Sequence, residues 1–324
     1  MKRFQTRVPG SLPKDRLDQF LFAWLPHATG QRLSKGQIRT LILSGSVYVN
    51  RHRNKSATAP VYSGAVIEVY YDEDKINQHQ PGRVFETRFD AERIVFEDEY
   101  LIVVNKPSGL PTQPTVDPNR PNLYDGLKQL IAHRDLVPEP YLGLHHRLDK
   151  DTSGLVLFTK KEEANKGISE LFSGHLITKT YQCLCWHSPV ARRLTLGEEF
   201  RIENYLGKIG EVSGKSKFGE VKSGGDLAIT DFKVVEVFRD IVWLQAQPKT
   251  GRTHQIRVHT SESLMPILGD SFYFPEKIAV FLTAPRLMLH ASSLRFTHPI
   301  TGVVTELSLD LPIEFVEVLG QLKT

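Results

Sequence analysis

Residues 228–248, AITDFKVVEVFRDIVWLQAQP, contain two strand-like runs rich in β-branched and aromatic residues, separated only by Arg239 and Asp240. Two residues can join only antiparallel neighbours, because a parallel return needs a crossover of a dozen residues or more. The pattern recurs in RIVFEDEYLIVVNKP, which reads as two strands around an acidic turn, and further strands are expected at LVLFTK (155–160) and KTYQCLCW. In EEANKGISELFSGHL, Ala164, Ile168, Leu171 and Phe172 share a helical face. Strands outnumber helices and tight returns are frequent. The expected class is therefore α+β with a mixed, mainly antiparallel sheet, rather than a doubly wound parallel sheet.

The first 71 residues differ from the rest in charge. They carry eleven basic side chains against three acidic ones, a net +8 within a chain whose total is +4. Such asymmetry suits a nucleic-acid-binding module joined to a more neutral body. Leu17, Phe20, Leu21 and Trp24 recur at helical spacing; Ser34 is an N-cap candidate for a second helix carrying Ile38, Leu41 and Ile42, and Gly45 is placed to stop it. Short strands follow at 47–49 and 66–69. Arg32, Lys35 and Arg39 lie near one face of the second helix, and Arg51, Arg53 and Lys55 follow the first strand. The series RLDQFL, then LSKGQIRTLILSGSVYVN, resembles the alpha-L RNA-binding domain, with Arg51 where that family usually has glycine. The resemblance implies an α/β RNA-binding domain over residues 1–72 whose Lys and Arg side chains meet phosphates. Polar residues 73–87, with Pro81-Gly82, read as a linker, and 88–324 as the larger domain.

Chemistry concentrates in GLHHRLDKDTSGLVLF, where His146, Arg147, Asp149, Lys150, Asp151, Thr152 and Ser153 lie between apolar stretches. A polar loop at a strand end is where a scaffold presents reactive groups. Arg147 and Lys150 are expected to keep Asp149 ionised, as a nucleophile or base requires, and Thr152 and Ser153 to cap the loop through backbone hydrogen bonds.

HRLDKDTSG resembles the signature loop of RluA-type pseudouridine synthases, and NKPSGLP (105–111), ITKTYQCL (177–184) and GRTHQIRVH (251–259), followed by PILGD and LHASSLRFTHP, resemble further segments of that family in the same order. The resemblance implies the catalytic fold of that family from about residue 89 onward. It makes Asp149 the catalytic aspartate, Tyr181 the aromatic that stacks on the target base, and Arg257 the partner that pairs with Asp149, in a bidentate manner, and orients it. Arg147, Arg252 and His254, with Lys249 nearby, add positive charge suited to RNA phosphates.

The implied reaction breaks the bond between the uracil nitrogen and the sugar, turns the base and rejoins it through carbon 5. It needs neither metal nor organic cofactor. His145, His146, His254, His259 and His290 lack the spacing and the cysteine or carboxylate partners of a metal site. A non-catalytic RNA-binding protein would not need the aspartate loop, tyrosine strand and arginine helix together. A carboxylate glycosidase needs carboxylates facing one another ~5–9 Å apart, whereas Asp149 and Asp151 are two residues apart on one loop. Cys183 and Cys185 fit strand positions in a reducing compartment. The expectation is a cytoplasmic, monomeric enzyme acting on RNA, on large-subunit ribosomal RNA in preference to transfer RNA.

Overall fold

The computed structural model describes residues 2–10, 15–31, 33–43, 45–71, 89–115, 120–188, 190–212, 215–275, 282 and 284–323. The chain forms two compact units, Met1–Val84 with Thr115–Arg120, and Phe85–Pro114 with Pro121–Thr324. The segment read as a linker, 73–87, lies outside the described residues.

The first unit contains β1 (Lys2–Arg7), β2 (Asp15–Arg16), α1 (Leu17–Thr29), α2 (Lys35–Leu43), β3 (Val47–Val49), β4 (His52–Asn54), β5 (Pro60–Val61) and β6 (Val66–Tyr71). Strands β1, β6, β3 and β4 form an antiparallel sheet in that order, and β2 pairs with β5. Leu17, Phe20, Leu21 and Leu25 of α1 pack with Ile38, Leu41 and Ile42 of α2 and with Val47, Ile67 and Val69 of the sheet. Helix α2 opens with a reciprocal cap: Ser34 Oγ accepts from the Gln37 amide at 3.2 Å, and Gln37 Oε1 accepts from the Ser34 amide at 2.7 Å. It closes at Gly45, whose φ of 78° is the left-handed conformation expected of a glycine stop. The β3–β4 turn places Asn50 and Arg51 at φ 50° and 68°. Positive φ at both central residues matches the twist of a two-residue hairpin, but Arg51 adopts it without glycine's freedom.

The second unit contains a 3₁₀ turn (Ala91–Arg93), β7 (Ile94–Glu97), β8 (Leu101–Lys106), α3 (Leu123–Arg134), β9 (Gly143–Leu144), β10 (Ser153–Thr159), α4 (Glu163–Ser173), β11 (Thr178–Trp186), β12 (Glu199–Val212), β13 (Lys215–Glu220), β14 (Asp226–Val237), β15 (Ile241–Pro248), α5 (Gln255–Glu262), β16 (Leu289–Thr297), β17 (Val304–Ser308) and α6 (Ile313–Leu322). Its sheet runs β13-β12-β14-β15-β11-β16-β10-β8-β7, with β17 added to β16 and β9 to β10. All the described pairings are antiparallel except β10 with β16, so the mixed, mainly antiparallel α+β expectation holds. Alternate residues of one strand serve two cores. Ile102, Val104, Val156 and Phe158 pack on Leu123, Leu127 and Ile131 of α3. Their neighbours Leu101, Val103, Leu155 and Leu157 pack on Ala164 and Ile168 of α4. A third core joins β11, β15 and α6; it includes Cys183 and Cys185, both free thiols.

The parallel contact is short, Ser153 to His290 and Gly154 to Ala291. Gly154 has φ 117°, and a Cβ there would stand 2.2 Å from the Ala291 carbonyl oxygen. Glycine thus lets β10 and β16 approach where the polar loop 145–152 enters the sheet.

Candidate active site

The Asp149 loop is tied to the sheet mainly through its backbone. Thr112 Oγ1 donates to the Leu148 carbonyl at 2.7 Å and accepts from the Leu148 amide at 3.2 Å. Ser108 Oγ donates to the Asp151 carbonyl at 2.6 Å, and the Gly109 amide to the Lys150 carbonyl at 2.9 Å. Lys106, fully buried at the end of β8, donates through Nζ to the carbonyls of Pro107, Leu110 and Lys150 at 3.0, 2.7 and 2.9 Å. Burial pushes its pKa down to about 7, opposed by Asp149 and Asp151. Three acceptors use the three N–H groups that only the ammonium form offers. The NKPSGLP and HRLDKDTSG segments are therefore clamped together by a lysine to which sequence reasoning gave no role.

Other loop residues depart from expectation. Thr152 and Ser153 do not cap the loop through their side chains: Thr152 Oγ1 is buried without a partner among the described residues, and Ser153 Oγ bonds His290 Nδ1 at 2.8 Å and accepts from Arg286 at 3.1 Å. Arg147 is exposed and Lys150 lies 3.8 Å from Asp151, so neither is the cation that meets Asp149. His146 Nε2 accepts from the Leu157 amide at 2.9 Å, beyond the point where β16 leaves β10. Burial, with smaller contributions from Lys179 and His145, holds His146 neutral, its pKa down to about 3.

The cation at Asp149 is Arg257, which α5 projects from a buried position. Its Nη1 donates to Asp149 Oδ2 at 3.0 Å. The bidentate pair expected with Asp149 is made instead with Asp270: Nε donates to Oδ2 and Nη2 to Oδ1, each at 2.8 Å. Asp270 Oδ1 also accepts from the amides of Phe272 and Tyr273 at 2.9 and 3.0 Å. Burial opposes the charge of Arg257, but Asp270 and then Asp149 outweigh it and raise its pKa. The Tyr273 ring lies 5.1 Å from the guanidinium carbon. Tyr273 also holds His254, through its hydroxyl and Nδ1 at 2.8 Å, with His254 Nε2 3.8 Å from Asp149 Oδ2. Asp270 went unassigned because its signal, the final residue of PILGD, gains meaning only when the chain folds back on α5.

Tyr181 stands on β11 opposite Ala246 of β15 and Ala291 of β16, beside an irregularity in the β11–β16 register. Such bulges re-aim side chains next to sites. Its ring packs against the cores on both sides. Burial, reinforced by Asp149, raises the pKa of its hydroxyl, which therefore stays protonated. The structure thus brings Asp149, Arg257 and His254 together, with Tyr181 within electrostatic reach of Asp149.

The remaining basic residues are dispersed. Arg252 donates to the Leu227 carbonyl at 2.9 Å, and Lys249 lies 3.3 Å from Asp231. In the first unit Arg39 turns to Asp18 at 3.3 Å, Arg53 to the Tyr48 hydroxyl at 2.7 Å, and Arg51 and Lys55 are exposed. Arg32 lies outside the described residues, as does the side chain of Lys35. His259, a discarded metal candidate, is pinned between Thr230 and Asn204 at 3.0 Å each. A cavity of about 810 Å³ adjoins the Arg257–Asp270 pair and is lined also by Lys106, Ser153, Arg286 and Glu314; Asp149 and Tyr181 do not line it.

Residues 100–262 match the family model described as RNA pseudouridylate synthase. The chain is 31% identical to the ribosomal large subunit pseudouridine synthase D of Haemophilus influenzae, over 95% of this chain and 91% of that protein. It is 31% identical to the ribosomal large subunit pseudouridine synthase C of Vibrio vulnificus, over 95% and 93%. Among solved structures it resembles human RNA pseudouridylate synthase domain containing 4, with a TM-score of 0.56, 25% identity, and coverage of 72% of this chain and 93% of that one.

Proposed function

This chain belongs to the RNA pseudouridylate synthase family, and from that premise we propose that it isomerises uridines in large-subunit ribosomal RNA. Asp149 is the catalytic carboxylate, Arg257 orients it, and Tyr181 receives the face of the flipped base. The observation that carries this reading is the division of Arg257: two donors on Asp270 and one on Asp149 Oδ2. A carboxylate held through one oxygen is oriented, while its other oxygen is left for the substrate. The target uridine must leave its stack to reach it, and an aromatic face offsets part of that cost.

Residues 1–72 act as the RNA-binding domain, with Arg32, Lys35, Arg39, Arg51, Arg53 and Lys55 as phosphate contacts; Arg147, Arg252 and His254 serve the same purpose around the catalytic loop. The names of the relatives favour ribosomal over transfer RNA. Two buried free thiols suit the reducing cytoplasm, where the enzyme works as a monomer.

The test is Asp149→Asn. Tritium release from RNA labelled at uracil carbon 5 should be abolished while RNA affinity stays within threefold, because phosphate contacts carry binding. Release within tenfold of wild type refutes the assignment.

A further inference from the structure

Lys179 lies two residues before Tyr181 on β11, so the two side chains leave the same face of the strand. Its side chain is half-buried, yet among the described residues its ammonium makes no hydrogen bond and no ion pair. Lys106, the other buried lysine near the site, has three carbonyl partners. An ammonium buried without compensation is costly, so the absence of a partner at Lys179 asks what completes it.

Its surroundings narrow the answer. The nitrogen lies 4.0 Å from where a Cβ on Gly251 would be, and Gly251 is exposed. The stem is thus covered while the charged tip comes out beside a bare stretch of backbone. The charged form is opposed by burial alone, and no carboxylate supports it, whereas Tyr181 on the same face does feel Asp149. His146, whose charged form Lys179 disfavours, is held neutral and offers no negative charge.

We infer that Lys179 receives a backbone phosphate of the RNA next to the target uridine. The inference rests on the reading of Asp149 and Tyr181 given above. With the reacting sugar at Asp149 and the base on Tyr181, the anionic groups left to meet a cation at the outer end of that face are the flanking phosphates. Lys179 would then fix the depth to which the nucleotide enters, joining the backbone path to the base position.

The test uses the full chain carrying Lys179→Met or Lys179→Arg, with an RNA fragment that wild type modifies. Filter binding across about 50–200 mM salt should show Lys179→Met weakened about tenfold, with a salt slope smaller by about 0.7–0.9, the value for one phosphate contact. Lys179→Arg should recover most of the affinity, and Lys179→Met should melt no lower than wild type, because a buried unpaired charge has been removed. An unchanged salt slope overturns the proposal. If that unchanged slope accompanies a single-turnover rate lowered tenfold or more, the lysine meets the uracil instead. Lower melting without rescue by Lys179→Arg also overturns it and assigns a structural role. Tritium release retained in Asp149→Asn would sink the catalytic reading instead, so the two failures are distinguishable.

Discussion

Asp270 grips Arg257 with both carboxylate oxygens at 2.8 Å, through Nε and one N–H of Nη2, and the nitrogen turned to a second acid is Nη1. Asp149 takes that one donor, at 3.0 Å. Released from Asp270, the guanidinium would be free to turn its two-donor edge onto Asp149 and occupy both oxygens.

Asp270→Asn, which keeps shape and removes charge, should therefore lower the single-turnover rate about 100-fold with little change in RNA affinity. Asp270→Ala should also destabilise the fold, by about 3–5 kcal/mol, since a buried guanidinium loses its main partner. Arg257→Lys should not rescue function, because an ammonium cannot divide a fork between two acids. Single-turnover kinetics beside urea melts provide the check, and a wild-type rate in Asp270→Asn would refute the reservation of Arg257.

Tyr181→Phe keeps the packed ring and removes a hydroxyl that burial and Asp149 hold protonated. Affinity should stay within about threefold while a proton-transfer step slows by about 100-fold, the usual scale of such assistance. The pH–rate profile of wild type should show no limb from this phenol below pH 10. Lost binding with an intact chemical rate would reverse the role given to Tyr181.

Arg51 occupies the left-handed region at φ 68° on an exposed turn. Such a conformation costs a non-glycine residue about 1–2 kcal/mol, and glycine's unfolded-state entropy returns part of it. Arg51→Gly should thus stabilise the chain by about 0.5–1 kcal/mol while weakening RNA binding and reducing the salt slope. A more stable variant with undiminished affinity would show that this side chain does not touch RNA.

Among the described residues four histidines have their pKa lowered chiefly by burial: His145, His146 to about 3, and His259 and His290 to about 4. Each has a folded pKa below its unfolded value of about 6.5. Between those values the unfolded chain binds more protons, so stability rises with pH through this window and is lost as pH falls from about 6.5 towards 4. Urea midpoints at pH 7.5 and 5 should differ in that direction. His146→Gln, which can still accept from the Leu157 amide, should flatten the dependence; an unchanged slope would mean His146 does not take part.

Much of this was legible where the signal is local. The Arg239-Asp240 return, the Ser34 cap and the Gly45 stop each depend on residues a few positions apart, and each is found. The meeting of Asp149 with Arg257 was legible because their motifs occur in the order of one family. What escaped is partnership. The Arg257–Asp149 pairing is found, but its bidentate form is not, because Asp270 takes the fork, and the chain neighbours Arg147 and Lys150 do not meet Asp149. Lys106 and Asp270 were in quoted motifs, but their acceptors and donors are fixed only when separate loops meet. Strand β1, KRFQTR, was unread because it lies at a sheet edge and buries little, so polarity hid its pairing with β6.

The two-residue parallel contact between Ser153–Gly154 and His290–Ala291 ties the Asp149 loop to a strand 137 residues further along the chain, as the Ser153–His290 bond also does. Non-local contacts of this kind form late, because a long loop must close before they return any energy. During synthesis Asp149, Tyr181 and Arg257 all emerge before β16, so these three residues exist for a time without the strand that registers them. Activity should therefore appear abruptly, once β16 has docked, rather than grow with chain length.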